Sequence, residues 1–344
     1  MEMGTGGVAA PAMSAATDVA TLQREVQGLR QAAQAVRANV GRVIVGKESV
    51  IELLLVALLS EGHTLIEDVP GVGKTVMARA LARSLGVTFA RIQGTADLLP
   101  SDVTGVSYFN QKVGEFEFRQ GPLFAQIVLA DEINRATPRT QSALLEAMQE
   151  RQVTVDAETM PLPAPFLLIA TQNPIELEGT FPLPEAQLDR FLLRLRVAYP
   201  SFEDERAMLY RFKEAQPLET LRPVLAAPDL LRLLPIVRAV RVAEPVADYL
   251  LSVVRNTREH PAVELGASPR AALALFRASQ ALAAIDGREY VKPDDVKRLA
   301  VPVLAHRMMI TAQSRLRGQD AEQVVRAVLD QTPVPVERLG ADGR

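Results

Sequence analysis

The sequence predicts an α/β unit followed by a smaller all-helical unit. Three observations carry this reading. Between residues 60 and 199, short apolar runs alternate with helix-period segments. The first of those runs leads through a glycine-rich turn into an amphipathic stretch, and beyond Tyr199 and Pro200 the strand signal disappears. A length of 344 residues exceeds the usual single-domain size, which agrees with two packed units.

Taken in order, residues 1–20 are rich in small side chains and lack both a basic start and a solid apolar stretch, so they read as a disordered tail. In residues 21–39, Leu22, Val26, Leu29, Ala33 and Val36 recur at spacings of three and four, the signature of an amphipathic helix. A second, more apolar helix is expected over 50–60. Strands are expected at 64–66, 87–92, 127–130, 166–170 and 192–197, and their near-continuous apolar character fits a parallel sheet covered on both faces. Two stretches interrupt the alternation within the 21–200 unit. Residues 105–121 read as a hairpin, with Tyr108 and Phe109, a turn near 112–114, then Phe116 and Phe118 alternating with charges. Residues 152–165 give a second extended pair with a proline-rich return. Such insertions on a compact α/β unit usually carry function at its rim. The second unit spans 201–334, where 230–240, 245–255, 269–284 and 293–307 are helix-period segments, several with proline in the first turn. Residues 335–344 form a C-terminal tail.

Composition narrows the chemistry. Hydrophobic residues at 48% and charged residues at 23% describe an ordinary globular chain with a large core. The absence of cysteine removes disulfides, thiolate metal sites and cysteine nucleophiles. Histidine occurs only at 63, 260 and 306, too scattered for a histidine-rich metal site. Without tryptophan, and with 5% aromatics, the chain lacks base-stacking platforms for single strands. Lys+Arg 38 against Asp+Glu 41 gives no basic surplus, so no nucleic-acid partner is expected. No run approaches the roughly 18 apolar residues of a membrane span, so no membrane insertion is expected and the default address is the cytoplasm.

The decisive stretch is 64–86. An apolar strand enters Pro70-Gly71-Val72-Gly73-Lys74-Thr75-Val76, and an amphipathic helix follows. Gly71 and Gly73 let the backbone turn tightly and point successive N–H groups inward as a nest for phosphate oxygens. The helix start adds the positive end of its dipole. Lys74 can reach the β- and γ-phosphates, and the Thr75 hydroxyl can sit on Mg²⁺. Asp68 occupies the position where the phosphate-loop pattern has its first glycine, a departure that bears on the loop's path. A second element is the apolar run 127–130 followed by Asp131 and Glu132. A strand ending in Asp sets that carboxylate beside the same Mg²⁺, while Glu132, pointing the other way, can polarise an attacking water. Asn173, at another strand end, can hydrogen-bond that water or the γ-phosphate. Arg190 lies at the end of a short helix before the last strand, and Arg270 follows Ser268-Pro269 at a helix start in the second unit. A guanidinium brought to the γ-phosphate stabilises charge that develops only in the transition state.

The runs IVLADEINRATPRTQSALLEAMQERQVTVD (127–156) and LLIATQNPIELEGTFPLPEAQLDRF (167–191) closely resemble the MoxR-type AAA+ ATPases, and the resemblance extends over about residues 35–330. It implies a P-loop NTPase AAA+ core, a parallel sheet between helices, with a C-terminal all-helical lid domain, usually assembled as a hexameric ring with nucleotide between subunits. By that resemblance Lys74 and Thr75 match Walker A, Asp131 and Glu132 match Walker B, and Asn173 matches sensor 1. Arg190 is then the finger acting on the neighbouring subunit, and Arg270 matches sensor 2 from the lid. Val45 and Gly46 sit where such proteins hold adenine. The hairpin at 105–121 resembles the helix-2 insert, and 152–165 the pre-sensor hairpin. The activity implied is Mg²⁺-dependent ATP hydrolysis coupled to chaperone-like remodelling, with ATP and Mg²⁺ as cofactors and a von Willebrand factor A domain protein as partner. A magnesium-chelatase-like motor subunit, a nucleic-acid-associated AAA+ motor and a nucleotide-gated scaffold stay open as alternatives.

Overall fold

A five-stranded parallel sheet forms the centre of the molecule, in the spatial order Phe89–Gln93, Ile127–Asp131, Leu167–Gln172, Thr64–Glu67, Leu193–Leu195. The computed structural model describes residues 15–173, 179–213 and 217–335. The inner strands are largely apolar because both faces are covered, while the edge strands carry Arg91, Gln93 and Arg194. Ile66, Leu129, Leu167 and Ile169 point into one buried cluster, whereas Leu65, Val128, Leu168 and Ala170 point into another. Successive residues of a strand face opposite sides, so a sheet between two layers needs an apolar residue at every step. The first cluster is closed by helices Ala15–Gly41, Glu48–Leu59 and Lys74–Ser84, and the second by Leu144, Leu145 and Met148 of helix Pro138–Glu150.

The parallel register determines where the strands end. Gln93 pairs with Asp131 and Ile66 with Thr171, so the carboxyl ends of the strands starting at Phe89, Ile127, Thr64 and Leu167 finish on one edge. Two antiparallel hairpins project from the α/β unit, Gly105–Asn110 with Glu115–Gln120 and Gln152–Val155 with Glu158–Pro161. They fall where alternation of apolar and polar side chains places them.

The N-terminal helix begins at Ala15, upstream of the tail boundary read from composition; residues 1–14, like 336–344 of the C-terminal tail, lie outside the described residues. This helix carries the lid. Val26, Leu29, Ala33 and Val36 share one apolar cluster with Leu275, Leu282 and Val303 of the lid, and Gln27 donates to Gly287 O at 2.8 Å. Beneath that contact Glu52, 3% exposed, pairs with Arg37 at 2.7 Å and with Arg298 of the lid helix Pro293–Leu304. The lid is helical, as expected, with one small addition: Val263–Leu265 pairs antiparallel with Met309–Ile310, a ribbon that ties two lid connections together. Helix Phe202–Phe212, which the periodicity did not single out, has no buried residue and exposes Phe202, Leu209 and Tyr210.

His63 locks the entry to the central strand. Its Nδ1 accepts from Leu168 N–H at 3.0 Å, which leaves Nε2–H to donate to Met148 O at 2.9 Å. Burial, reinforced by the Arg151 charge, pushes the imidazole down to about 3. The folded value lies below the unfolded one of about 6.5, so the stabilising contribution is present above pH 6.5 and is lost as the pH falls toward 3. Replacing His63 by Gln removes one titrating proton. Between pH 6.5 and 4.5 the wild-type unfolding free energy should therefore fall more steeply than the variant's, by up to about 1.4 kcal/mol per pH unit. Parallel pH curves from urea unfolding would contradict this assignment.

Candidate active site

The turn between Glu67 and Lys74 is built by two glycines and one carboxylate. Gly71 and Gly73 have φ of +86° and +83°, and Gly73 is the N-cap of helix Lys74–Ser84. A side chain at either position is strained, which is why glycine stands there. Asp68 shows why the first glycine of the pattern is dispensable. Its backbone is not left-handed, and its carboxylate accepts from Val69 N–H at 2.8 Å and from Ala198 N–H. It therefore holds the loop start against the segment leaving the edge strand Leu193–Leu195. The Lys74 ammonium donates to Asp68 O at 2.9 Å. Burial lowers the ammonium below its ordinary value, while the carboxylates of Asp131, Asp68 and Glu132 pull it back up.

Opposite the turn, two carboxylates are held by groups from neighbouring strands. Thr171, fully buried, donates its hydroxyl to Asp131 Oδ1 at 2.6 Å and accepts from Glu132 N–H at 2.8 Å. Glu132 is left-handed (φ 55°), an unfavourable conformation for a non-glycine residue that turns its side chain away from that of Asp131. Gln93 donates to Glu132 Oε2 at 2.9 Å, and Arg135 lies 3.6 Å from the same oxygen. Arg91 reaches the other oxygen of Asp131, Oδ2, with Nη2 at 2.7 Å and Nε at 3.1 Å.

These groups line one cavity of about 340 Å³, whose walls include Pro70, Gly71, Gly73, Lys74, Thr75, Val76, Arg91, Asp131, Glu132 and Asn173. Pro174, beside Asn173, lies outside the described residues. Thr75 and Asp131 bring a hydroxyl and a carboxylate to the same space, oxygen donors of the kind a hard divalent cation takes while keeping waters. Among the described residues no group of His, Cys, Asp and Glu forms a metal cage of protein ligands alone. A second cavity of about 460 Å³ shares Gly71, Gly73 and Val76 with the first and is mainly apolar, lined by Val45, Val72, Tyr199, Met208 and Phe212 among others. The two are neighbours across these shared residues, one carrying Lys74 and Arg91, the other mainly apolar. Gly46 does not line this cavity; a Cβ there would clash with the Asp204 carboxylate of helix Phe202–Phe212.

Arg190 and Arg270 lie elsewhere. Both line a cavity of about 470 Å³ between the core and the lid, together with Arg151, Arg277 and Arg307. Asp189 is 3.8 Å from Arg270 and 3.6 Å from Arg307. Burial pushes the Arg307 guanidinium down to about 10, with Asp189 opposing the shift, so it stays charged at neutral pH. His306 and Arg307, at the end of the helix-period segment 293–307, sit on a short 3₁₀ turn, Ala305–Arg307, buried against Phe191. Arg91, Gln93 and Thr171 carry no motif that marks them in the sequence. The alternation of a strand puts Arg91 and Gln93 on one face, but only strand pairing shows that this face meets Asp131.

Comparison with known proteins agrees with this geometry. Residues 63–193 match the model of the ATPase family associated with various cellular activities (AAA), and 255–328 match the AAA lid domain. The chain is 54% identical over 300 residues to YeaC, an uncharacterized protein of Bacillus subtilis, covering 87% of this chain and 94% of that one. It is 45% identical to the chaperone MoxR1 of Mycobacterium tuberculosis, covering 86% of this chain and 81% of the relative. The crystal structure of a putative ATPase from Cytophaga hutchinsonii superposes with a TM-score of 0.87 at 36% identity, covering 93% of this chain and 100% of that one. A parallel sheet with a glycine turn and two strand-end carboxylates on one edge, a helical lid, and relatives matched over nearly their whole length lead to one conclusion: the chain belongs to the MoxR family of AAA+ ATPases.

Proposed function

We propose that the protein hydrolyses ATP with Mg²⁺, with the triphosphate on the turn around Gly73 and the base in the apolar cavity beside Val45. The observation that carries this reading is the convergence of Lys74, Thr75, Asp131, Glu132 and Asn173 on one cavity that shares Gly71, Gly73 and Val76 with an apolar one. The amides of the turn and the Lys74 ammonium hold the phosphates. Thr75 and Asp131 are the residues that would hold Mg²⁺, which when bound neutralises charge on the β- and γ-phosphates. Glu132 takes a proton from the attacking water, its carboxylate oriented by Gln93 and its backbone by Thr171. Asn173 orients the same water or the γ-phosphate.

In this reading Arg190 and Arg270 complete the site of a neighbouring subunit within a ring, a hexamer by family resemblance. Two features support it. Both arginines line a cavity other than that of Lys74, and helix Phe202–Phe212 exposes apolar side chains that a second copy would cover. The output is remodelling or activation of partner proteins, as the name of the relative MoxR1 suggests, with a von Willebrand factor A domain protein as the partner the family resemblance implies.

Two measurements test the reading. Glu132→Gln should keep ATP binding while losing turnover at least 100-fold, the scale of a lost general base, and Lys74→Ala should lose binding. Normal hydrolysis by Glu132→Gln would remove Glu132 from the role of base. The second measurement is complementation. Lys74→Ala should be inactive alone and Arg190→Ala slowed to a small but measurable turnover, and the mixture should exceed the sum of the two, because one supplies an intact arginine and the other an intact phosphate site. Mixtures no more active than that sum would contradict action across the subunit boundary.

A further inference from the structure

We propose that Arg307 of the lid is a positioning residue for Arg190, holding the residues on either side of it so that the Arg190 guanidinium is presented to a neighbouring nucleotide. This rests on the reading of Arg190 as the arginine acting across the subunit boundary.

The local chain explains why such a hold is needed. Helix Glu185–Leu188 ends two residues before Arg190, and the edge strand starts only at Leu193. Arg190 lies outside both, on a turn in which its N–H donates to Gln187 O at 3.2 Å and Phe191 N–H to Leu188 O at 3.1 Å. The lid adds a second hold on its neighbours. Arg307 Nη2 donates to Phe191 O at 2.6 Å, and His306 Nε2 lies 2.9 Å from the same oxygen. Arg307 Nη1 faces Asp189 Oδ1 at 3.6 Å, a buried charge pair in which neither of the two atoms makes a hydrogen bond. The Phe191 side chain is itself fully buried. Residue 191 is thus held by hydrogen bonds and residue 189 by charge alone, while Arg190 between them lines the open cavity with Arg270 and Arg277.

Burial separates Arg307 from the other arginines of the chain. Its side chain is 2% exposed, whereas that of Arg270, on the same carboxylate, is 54% exposed. Taking a guanidinium out of water is costly unless fixed partners compensate it, so this one is committed to the Phe191 carbonyl and to the Asp189 charge. The planar fork reaches a carbonyl and a carboxylate at once, a geometry that an ammonium does not reproduce. Asp189 is shared: Arg307 holds it from the buried side and Arg270 approaches it from the cavity. A shift of the lid moves Arg307 and Arg270 together and is felt at Asp189, next to the arginine in question. Stabilising a transition state depends on the donor being in place before the reaction, and misplacement by about 1 Å costs on the order of 100-fold.

The test is a double-mutant cycle on the full-length assembled protein, reading ATP turnover at saturating nucleotide, ATP affinity and thermal unfolding. Arg307→Lys should lower kcat at least about tenfold while the ATP dissociation constant stays within about twofold. In the Arg190→Ala background the same substitution should lower kcat no further, because its effect passes through Arg190. A purely structural role would reduce turnover equally in both backgrounds, and that result, or an unchanged kcat in the single variant, overturns the proposal. If thermal unfolding shows that Arg307→Lys does not fold, Asp189→Asn enters the same cycle, with the same loss and the same absence of further loss expected. If Arg190→Ala alone leaves turnover unchanged, the reading of Arg190 fails and the proposal with it. A loss in Arg190→Ala combined with additive effects sinks the positioning role alone.

Discussion

A single buried hydroxyl ties the site to the sheet. Thr171 donates to Asp131 and accepts from the backbone of Glu132, so one strand end fixes both carboxylates of the next. The bond exists because the strands are parallel and in register: Leu129 opposite Ile169 and Ala130 opposite Ala170 carry Asp131 and Thr171 to the same edge. The turn after Thr64–Glu67 leaves that edge as well, which brings Lys74 to face the carboxylates. In open parallel α/β sheets the crevice at the carboxyl ends of the strands is where ligands sit. The energetics agree with this arrangement. Left-handed backbone at Glu132 costs about 1 kcal/mol or more, and it is sustained by the Thr171 hydroxyl and by the Gln93 amide.

The two cavities divide the proposed chemistry between copies of the chain. One holds what a phosphate needs in its ground state: backbone amides, an ammonium and oxygen ligands. The other concentrates guanidinium groups, including Arg190, Arg270 and Arg307, around Asp189, with no phosphate turn nearby. In the proposed reading each is incomplete for hydrolysis by itself. A donor set that joins only on assembly would make turnover depend on the ring, and the place of Arg270 and Arg307 on the lid would make it depend on the lid as well.

Much of this was legible in the sequence, for physical reasons. The five strands could be read because a sheet covered on both faces demands unbroken apolar runs, although the runs blur the ends by one to two residues. The phosphate turn and the strand-end carboxylates could be read because each is a contiguous segment of fixed spacing. Asp68 looked like a defect in the turn, yet its carboxylate accepts the hydrogen bonds that hold the loop, and no left-handed backbone is required there. What stayed hidden was long-range. Arg91, Gln93 and Thr171 act through pairings of strands about 40 residues apart, and nothing local marks them. Arg307 falls at the end of a helix-period segment and nothing local marks it, because its partners, Asp189 and Phe191, are more than 100 residues away. Helix Phe202–Phe212 escaped notice because its apolar residues do not turn toward the core, so its pattern lacks a buried stripe. The lid ribbon was missed because strands as short as Met309–Ile310 leave no periodic signal.

The most direct measurement is an equilibrium titration of the purified wild-type protein with ATP in the presence of magnesium, followed calorimetrically. Saturable uptake of one adenine nucleotide per chain, weakened when magnesium is chelated, is the expected result for a triphosphate seated between the glycine turn and the strand-end carboxylates. Absence of any saturable uptake by folded protein would contradict it.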